Sequence, residues 1–168
     1  AARHQYIKEA YCYLNDYAKF LLPDVRAIVT TIGRASIHFH QGDFDECLAI
    51  IQSIEKAPED SFLKLRMYLF ELRSHFIIGL NSKTNHFILF TSADKLRKFL
   101  KTNKKLVLSK ERETSLLEIH KILLRLINLY KKKDKPSYLN LKSKLLIEIN
   151  NKSLISKRWI LEQVDKYF

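Results

Sequence analysis

Apolar residues recur at three- and four-residue steps along most of the chain, the spacing that lines one face of an α-helix. Between His4 and Leu22 they fall at Tyr6, Ile7, Ala10, Tyr13, Leu14, Tyr17, Ala18 and Leu21. Pro23 suits a first helical turn, where its missing N–H has no partner to lose, and opens a second stretch to about His40 with Val25, Ile28, Val29, Ile32, Ala35 and Phe39 inward. Gly42-Asp43 breaks that stretch. Phe44 to Lys56 follows, with Leu48, Ile51 and Ile54 on the core face and Pro58 as its stop. Phe62 to about Ile78 carries Leu65, Leu69, Leu72 and Phe76 on one stripe, before a weaker break at Gly79-Leu80-Asn81-Ser82. From Lys83 to Lys101 the pattern opens on the strand-like Phe87-Ile88-Leu89-Phe90-Thr91, but Leu96, Phe99 and Leu100 restore helical spacing, so a helix is predicted.

Ser109 reads as the N-cap of the longest helix, to about Lys133, whose core face is Leu116, Ile119, Leu123, Leu126, Ile127 and Tyr130. Lys131 to Pro136 is a solvated connector. Ser137 to Ile149 forms a helix around Leu141, Leu145 and Ile149, and Leu154 to Phe168 a terminal one around Trp159, Leu161 and Val164. About eight helices result. Short turns make consecutive helices antiparallel, and such hairpins either close into a bundle or stack as a solenoid.

At 168 residues the chain is long enough for one domain with a real core, and three glycines and three prolines are too few for a many-stranded sandwich or a glycine-rich phosphate loop. Charge changes the picture more. Residues 1–94 hold 10 basic and 11 acidic side chains, a net of −1, whereas residues 95–168 hold 20 and 7, a net of +13. That asymmetry points to an anionic partner for the C-terminal part, whether nucleic acid, an acidic protein surface or a lipid headgroup layer. Against it stands composition: Lys outnumbers Arg by 21 to 9, whereas phosphate forks favour Arg. Cys12 and Cys47 lie in apolar-periodic stretches and are expected to be buried free thiols of a cytoplasmic protein. No apolar run approaches the length of a membrane span. The opening Ala1-Ala2-Arg3 has neither Met nor signal-like block and suggests a piece of a longer chain.

The chemistry-bearing residues make no catalytic or metal constellation. His38 and His40 stand two apart on a helix and point about 200° away from each other, so they cannot share a metal. His4, His75, His86 and His120 have no ligand-spaced companion on the same face, and read as surface or boundary residues. Asp43, Asp45 and Glu46 read as capping acids. With no nucleophile elbow, Cys-His signature or phosphate loop, no enzymatic activity, metal or cofactor is expected. Lys121, Arg125, Asn128 and Lys132 form a polar stripe opposite the apolar face of the longest helix. With Lys95, Arg97, Lys98, Lys101, Lys104 and Lys105 upstream, and Lys131 to Lys133 and Lys135 at its end, that stripe can merge into one positive surface. Phe99, Tyr130 and Trp159 stand at core-like positions, which leaves no evident exposed ring for stacking bases.

The segment from Arg34 to Leu48 resembles a tetratricopeptide repeat. Gly42-Asp43-Phe44 matches its inter-helix turn and following aromatic, Cys47 stands where a small residue packs, and Ile51 replaces the family's Phe. Thr31, Arg34-Ala35 and His38 depart from the family's Trp, Leu-Gly and Tyr, and Pro58 falls one residue early. Only residues 28–60 carry the motif; the remainder, ending in Ser156-Lys157-Arg158-Trp159-Ile160-Leu161-Glu162, resembles the C-terminal segment of bacterial tetratricopeptide-like proteins. The resemblance implies an all-α chain of antiparallel hairpins stacked as a short right-handed solenoid. It would be one helical-repeat domain over 1–168, with repeat-like pairs over 1–101 and basic helices over 102–168. The implied function is a non-enzymatic scaffold that holds a protein or peptide segment in a groove near Arg34, His38 and Gln41. The alternative is sequence-indifferent nucleic-acid binding through the basic half, on Lys98, Lys101, Lys121, Arg125 and Lys132. A solenoid that starts on an open helix also invites dimerisation through the N-terminal helix.

Overall fold

The computed structural model describes residues 2–81, 86–103 and 109–168. They form eight α-helices in chain order: α1 (Ala2–Ala18), α2 (Pro23–Gln41), α3 (Phe44–Gln52), α4 (Ser61–Asn81), α5 (His86–Thr102), α6 (Lys110–Tyr130), α7 (Tyr138–Asn151) and α8 (Lys157–Tyr167). There is no strand among the described residues. The fold is all-α, as the periodicity predicts, and the Phe87–Thr91 segment is helical because its Leu89, with Ala93, Leu96 and Leu100, builds one buried stripe. Lys83, Lys104 and Lys105, and the side chains of His4 and His86, lie outside the described residues.

The chain divides into two compact units, residues 1–78 and 79–168. In the first, α2 and α3 form a tight hairpin around Gly42-Asp43. Gly42 is left-handed at φ +88°. Its N–H reaches the Phe39 carbonyl at 3.1 Å, and that of Asp43 reaches the His38 carbonyl at 3.0 Å, which satisfies carbonyls that the end of α2 would leave orphaned. Asp43 then caps α3, accepting the Glu46 N–H at 3.4 Å. Two residues therefore end one helix and start the next. The fully buried Ala35 and Cys47 stand one on each arm of the hairpin, and Phe39 packs edge-on to Phe44 and against Phe70 of α4. Helix α3 ends at Gln52, short of the predicted Lys56, because Ser53 caps it and the chain runs on through Ile54 and the buried Pro58 before Asp60 starts α4, accepting the Leu63 N–H at 2.8 Å.

Helix α1 packs along α2 at Gly33, where a β-carbon would stand 2.6 Å from Leu14 Cδ1. Its tyrosines do not follow the predicted core face. Ile7, Ala10, Leu14 and Ala18 are half-buried, whereas Tyr6, Tyr13 and Tyr17 are exposed, with Tyr13 stacked on Tyr17 at 4.1 Å. Cys12 is exposed too, contrary to the expectation of a buried thiol, because α1 covers only the side that faces α2. In the second unit Leu89, Leu96, Leu116, Ile119, Leu123, Leu126, Ile149, Ile160 and Val164 make the core. Ser109 caps α6 through the Arg112 N–H at 3.3 Å, as its position predicts. The connector 131–137 is exposed throughout. Ser115, buried in α6, accepts the N–H of Ile155, and the C-terminus docks through the Tyr138 hydroxyl, which donates to the Phe168 carbonyl.

Candidate anion-binding face

The boundary between the two units is also a charge boundary. Residues 1–78 carry 9 basic and 10 acidic side chains, and residues 79–168 carry 21 and 8, nets of −1 and +13. A surface of one sign concentrates counter-charged partners, so the second unit is where an anion would be held.

The face of α6 that carries Lys121, Arg125 and Asn128 is exposed, and α7 brings two groups to it that sequence spacing between helices could not place. Glu118 lies 2.6 Å from Lys121 Nζ and 2.7 Å from Lys152 Nζ; Glu148 lies 2.9 Å from Lys152 and pairs with Arg125. Three cations and two carboxylates thus form one chain of ion pairs across α6 and the α7 end. Hydrogen bonds from Lys121 and Lys152 hold the Glu118 carboxyl down at about 2, and those from Lys152 and Arg125 hold Glu148 below its ordinary value. Lys152, donating to both acids, is raised. Of the cations expected to face an anion, Arg125 therefore ties α6 to α7 through Glu148, and Lys121 is held by Glu118 of its own helix. The local spacings Glu118 to Lys121 and Glu148 to Lys152 are the signal by which sequence could have found half of this network.

Beyond it the positive charge is less compensated. A hollow of about 150 Å³ between α6 and α7 is lined by Arg125, Asn128, Leu129, Lys132, Leu141 and Leu145. In the connector that follows α6, Lys131, Lys132 and Lys135 are exposed, while Lys133 turns back to donate to the Tyr167 carbonyl at 3.2 Å. On α5, Lys98 and Arg97 bind Asp94 at 2.8 and 2.7 Å, and Lys101 is exposed one turn on. On α6 the half-buried His120 has its pKa lowered, first by burial and then by the charges of Lys121 and of Arg97 on α5. These neighbours favour the neutral imidazole, which adds nothing to the face near pH 7.

The residues expected to line a groove in the first unit behave differently. Arg34 and Gln41 are exposed, but His38 is engaged internally, with the Tyr11 hydroxyl 3.2 Å from Nε2 and Asp43 Oδ2 3.3 Å from Nδ1. It links α1, α2 and the cap of α3. A cleft of about 650 Å³ lies elsewhere in this unit, with Val25, Ile28 and Thr31 of α2 on one wall, Leu63 of α4 on another, and the 53–60 connection between them. None of Arg34, His38 and Gln41 lines it. No cluster of metal-ligating groups occurs among the described residues, and no helix among them is long and apolar enough to cross a membrane. Compared with protein-family models, curated proteins and solved structures, the chain matches none.

Proposed function

We propose that the chain is a non-enzymatic helical interaction module that holds an anionic partner on the basic face of its second unit. The observation that carries this reading is the confinement of the excess positive charge to residues 79–168, where Glu118 and Glu148 are already held by Lys121, Arg125 and Lys152, and where Lys101, Lys131, Lys132 and Lys135 are exposed. A partner that neutralises these lysines releases counterions, so binding must fall steeply with salt. The test is fluorescence anisotropy with labelled polyglutamate and a labelled oligonucleotide at about 50 and 200 mM salt. Binding at the lower concentration, steep loss at the higher, and weakening by the combined variant Lys131→Glu, Lys132→Glu, Lys135→Glu are expected. Failure to bind either polyanion at the lower salt overturns the reading.

The cleft of the first unit favours a second reading, closer to the scaffold that the repeat-like hairpin implies. Its apolar walls, Ile28, Ile54 and Leu63, carry three acids, Glu55, Glu59 and Asp60, against one cation, Lys56, which pairs with Glu59 at 3.6 Å. That chemistry suits an extended peptide alternating apolar and basic residues. A synthetic Leu-Lys peptide should then shift the methyl resonances of Ile28, Ile54 and Leu63, and unmoved methyls at millimolar peptide reject it.

A further inference from the structure

We propose that the outer face of α5 is a platform for single-stranded nucleic acid, on which two bases stack against Phe87 and Phe90 while Arg97, Lys98 and Lys101 take the adjoining phosphates. This deepens the anionic-partner reading and rests on it. Phe87 and Phe90 are 77% and 52% exposed, although both belong to a helix whose opposite side is buried through Leu89, Ala93, Leu96 and Leu100. At 100° per residue, positions 87, 90, 94, 97, 98 and 101 fall on one face. Its two rings lie toward the N-terminal end and its three cations toward the other, over a length of about 21 Å. Asp94 is the one carboxylate on this face, and it is bound by Arg97 and Lys98, so its charge is already matched and the stripe stays net positive.

A side chain as apolar as Phe gains nothing from water, and two of them side by side next to a cluster of cations fit a ligand that is flat and apolar in one part and anionic in the next. Single-stranded nucleic acid has that alternation, and stacking on aromatic rings is indifferent to sequence because every base has a π-face. A duplex hides its bases and offers phosphates alone, and an acidic peptide has no ring-shaped surface repeating beside its charge. A lipid surface is less suited, because the apolar side of α5 is spent in the protein core and only two rings remain to enter the interface.

The experiment uses the whole chain and four probes: labelled oligo-dT, a duplex of equal length, labelled polyglutamate, and phosphatidylserine vesicles. Replacing both rings by leucine, Phe87→Leu with Phe90→Leu, keeps apolar bulk at an exposed site and removes the π-faces; far-UV circular dichroism checks that helicity is retained. Oligo-dT affinity should fall about tenfold or more with its salt slope unchanged. Duplex and polyglutamate binding should not move, and Phe87→Tyr with Phe90→Tyr should restore the loss. Lys98→Gln with Lys101→Gln should instead flatten the single-strand salt slope by about 1.4. If the leucine variant binds oligo-dT as the parent does while polyanion binding persists, the platform is overturned and the broader reading stands. If the leucine variant loses vesicle binding alone, the platform is overturned in favour of a lipid surface. If no polyanion binds at all, both fall.

Discussion

Glu118→Gln tests the α6–α7 ion network and the anion-binding reading together. The substitution preserves volume and removes one charge from a carboxylate that two lysines bind at 2.6 and 2.7 Å. Lys121 is largely solvated, so its pair contributes toward the lower end of the roughly 0.2–1 kcal/mol typical of exposed pairs, and Lys152, more buried and shared with Glu148, toward the upper end; together about 1.2 kcal/mol is at stake. In a unit of this size that lowers the thermal midpoint by roughly 5–10 °C. The pH dependence follows from the direction of the shift. The carboxyl titrates at about 2 in the folded protein against about 4.5 unfolded, so its contribution is present above 4.5 and is lost as the pH falls toward 2. Urea unfolding followed by circular dichroism at pH 7 and pH 2.5 should show parent and variant apart at the first pH and converging at the second. The same variant frees Lys121 and raises the charge of the second unit by one, so oligonucleotide binding should tighten while the fold weakens, with a salt slope steeper by about 0.7. Equal stability at pH 7, or a difference that persists unchanged at pH 2.5, would refute the assignment of that stability to Glu118.

Other positions give independent checks. Gly42→Ala forces a β-carbon into the left-handed conformation at φ +88°, where no neighbour crowds it, so the cost is backbone strain alone, about 1–2 kcal/mol, read as faster amide exchange in α2 and α3. Ser115→Ala strands the Ile155 N–H in a part-buried site and should cost about 1–3 kcal/mol in a urea titration; a cost below about 0.5 would deny that bond its structural role. The two thiols should separate in a disulfide-exchange assay at pH 8: Cys12 is exposed and reacts at once, whereas Cys47 is fully buried, pushed up to about 11 by that burial, and reacts only after denaturant is added. Equal rates in the folded protein would place Cys47 nearer the surface. Leu123→Ala, at a side chain with no exposed area, should cost about 2–5 kcal/mol and should leave the first unit's own amide protection intact if the two units unfold separately.

Helix existence and type were legible because they depend on local order. The three-and-four spacing of Leu116, Ile119, Leu123 and Leu126 specifies both the helix and its buried face, and all four are buried. The Gly42-Asp43 turn was legible for the same reason, since a glycine at a left-handed position followed by a capping acid is a signal confined to a few residues. Helix ends were less so: α3 stops four residues early because the carbonyls of its last turn meet Ser53 and the chain then turns away, something apolar periodicity through Ile54 does not register.

What the sequence by itself determined is therefore the eight helices found among the described residues, the separation of charge and the absence of a recognisable catalytic motif, all properties of neighbours along the chain. What only the tertiary structure decided is which side chains are left over once the helices meet. Tyr6, Tyr13 and Tyr17 have core spacing but are left exposed beside α2; Phe87 and Phe90 lie on the side of α5 away from its core, where sequence offered no exposed ring; Arg125 reads as a free cation until α7 brings Glu148 to it, and Glu118 gains a second cation only when Lys152 arrives from the end of α7. Periodicity tells which residues share a face of a helix. Whether that face is covered, and whether its charges are matched, depends on groups tens of residues away, and burial and Coulomb energies are set by that distance in space and not along the chain.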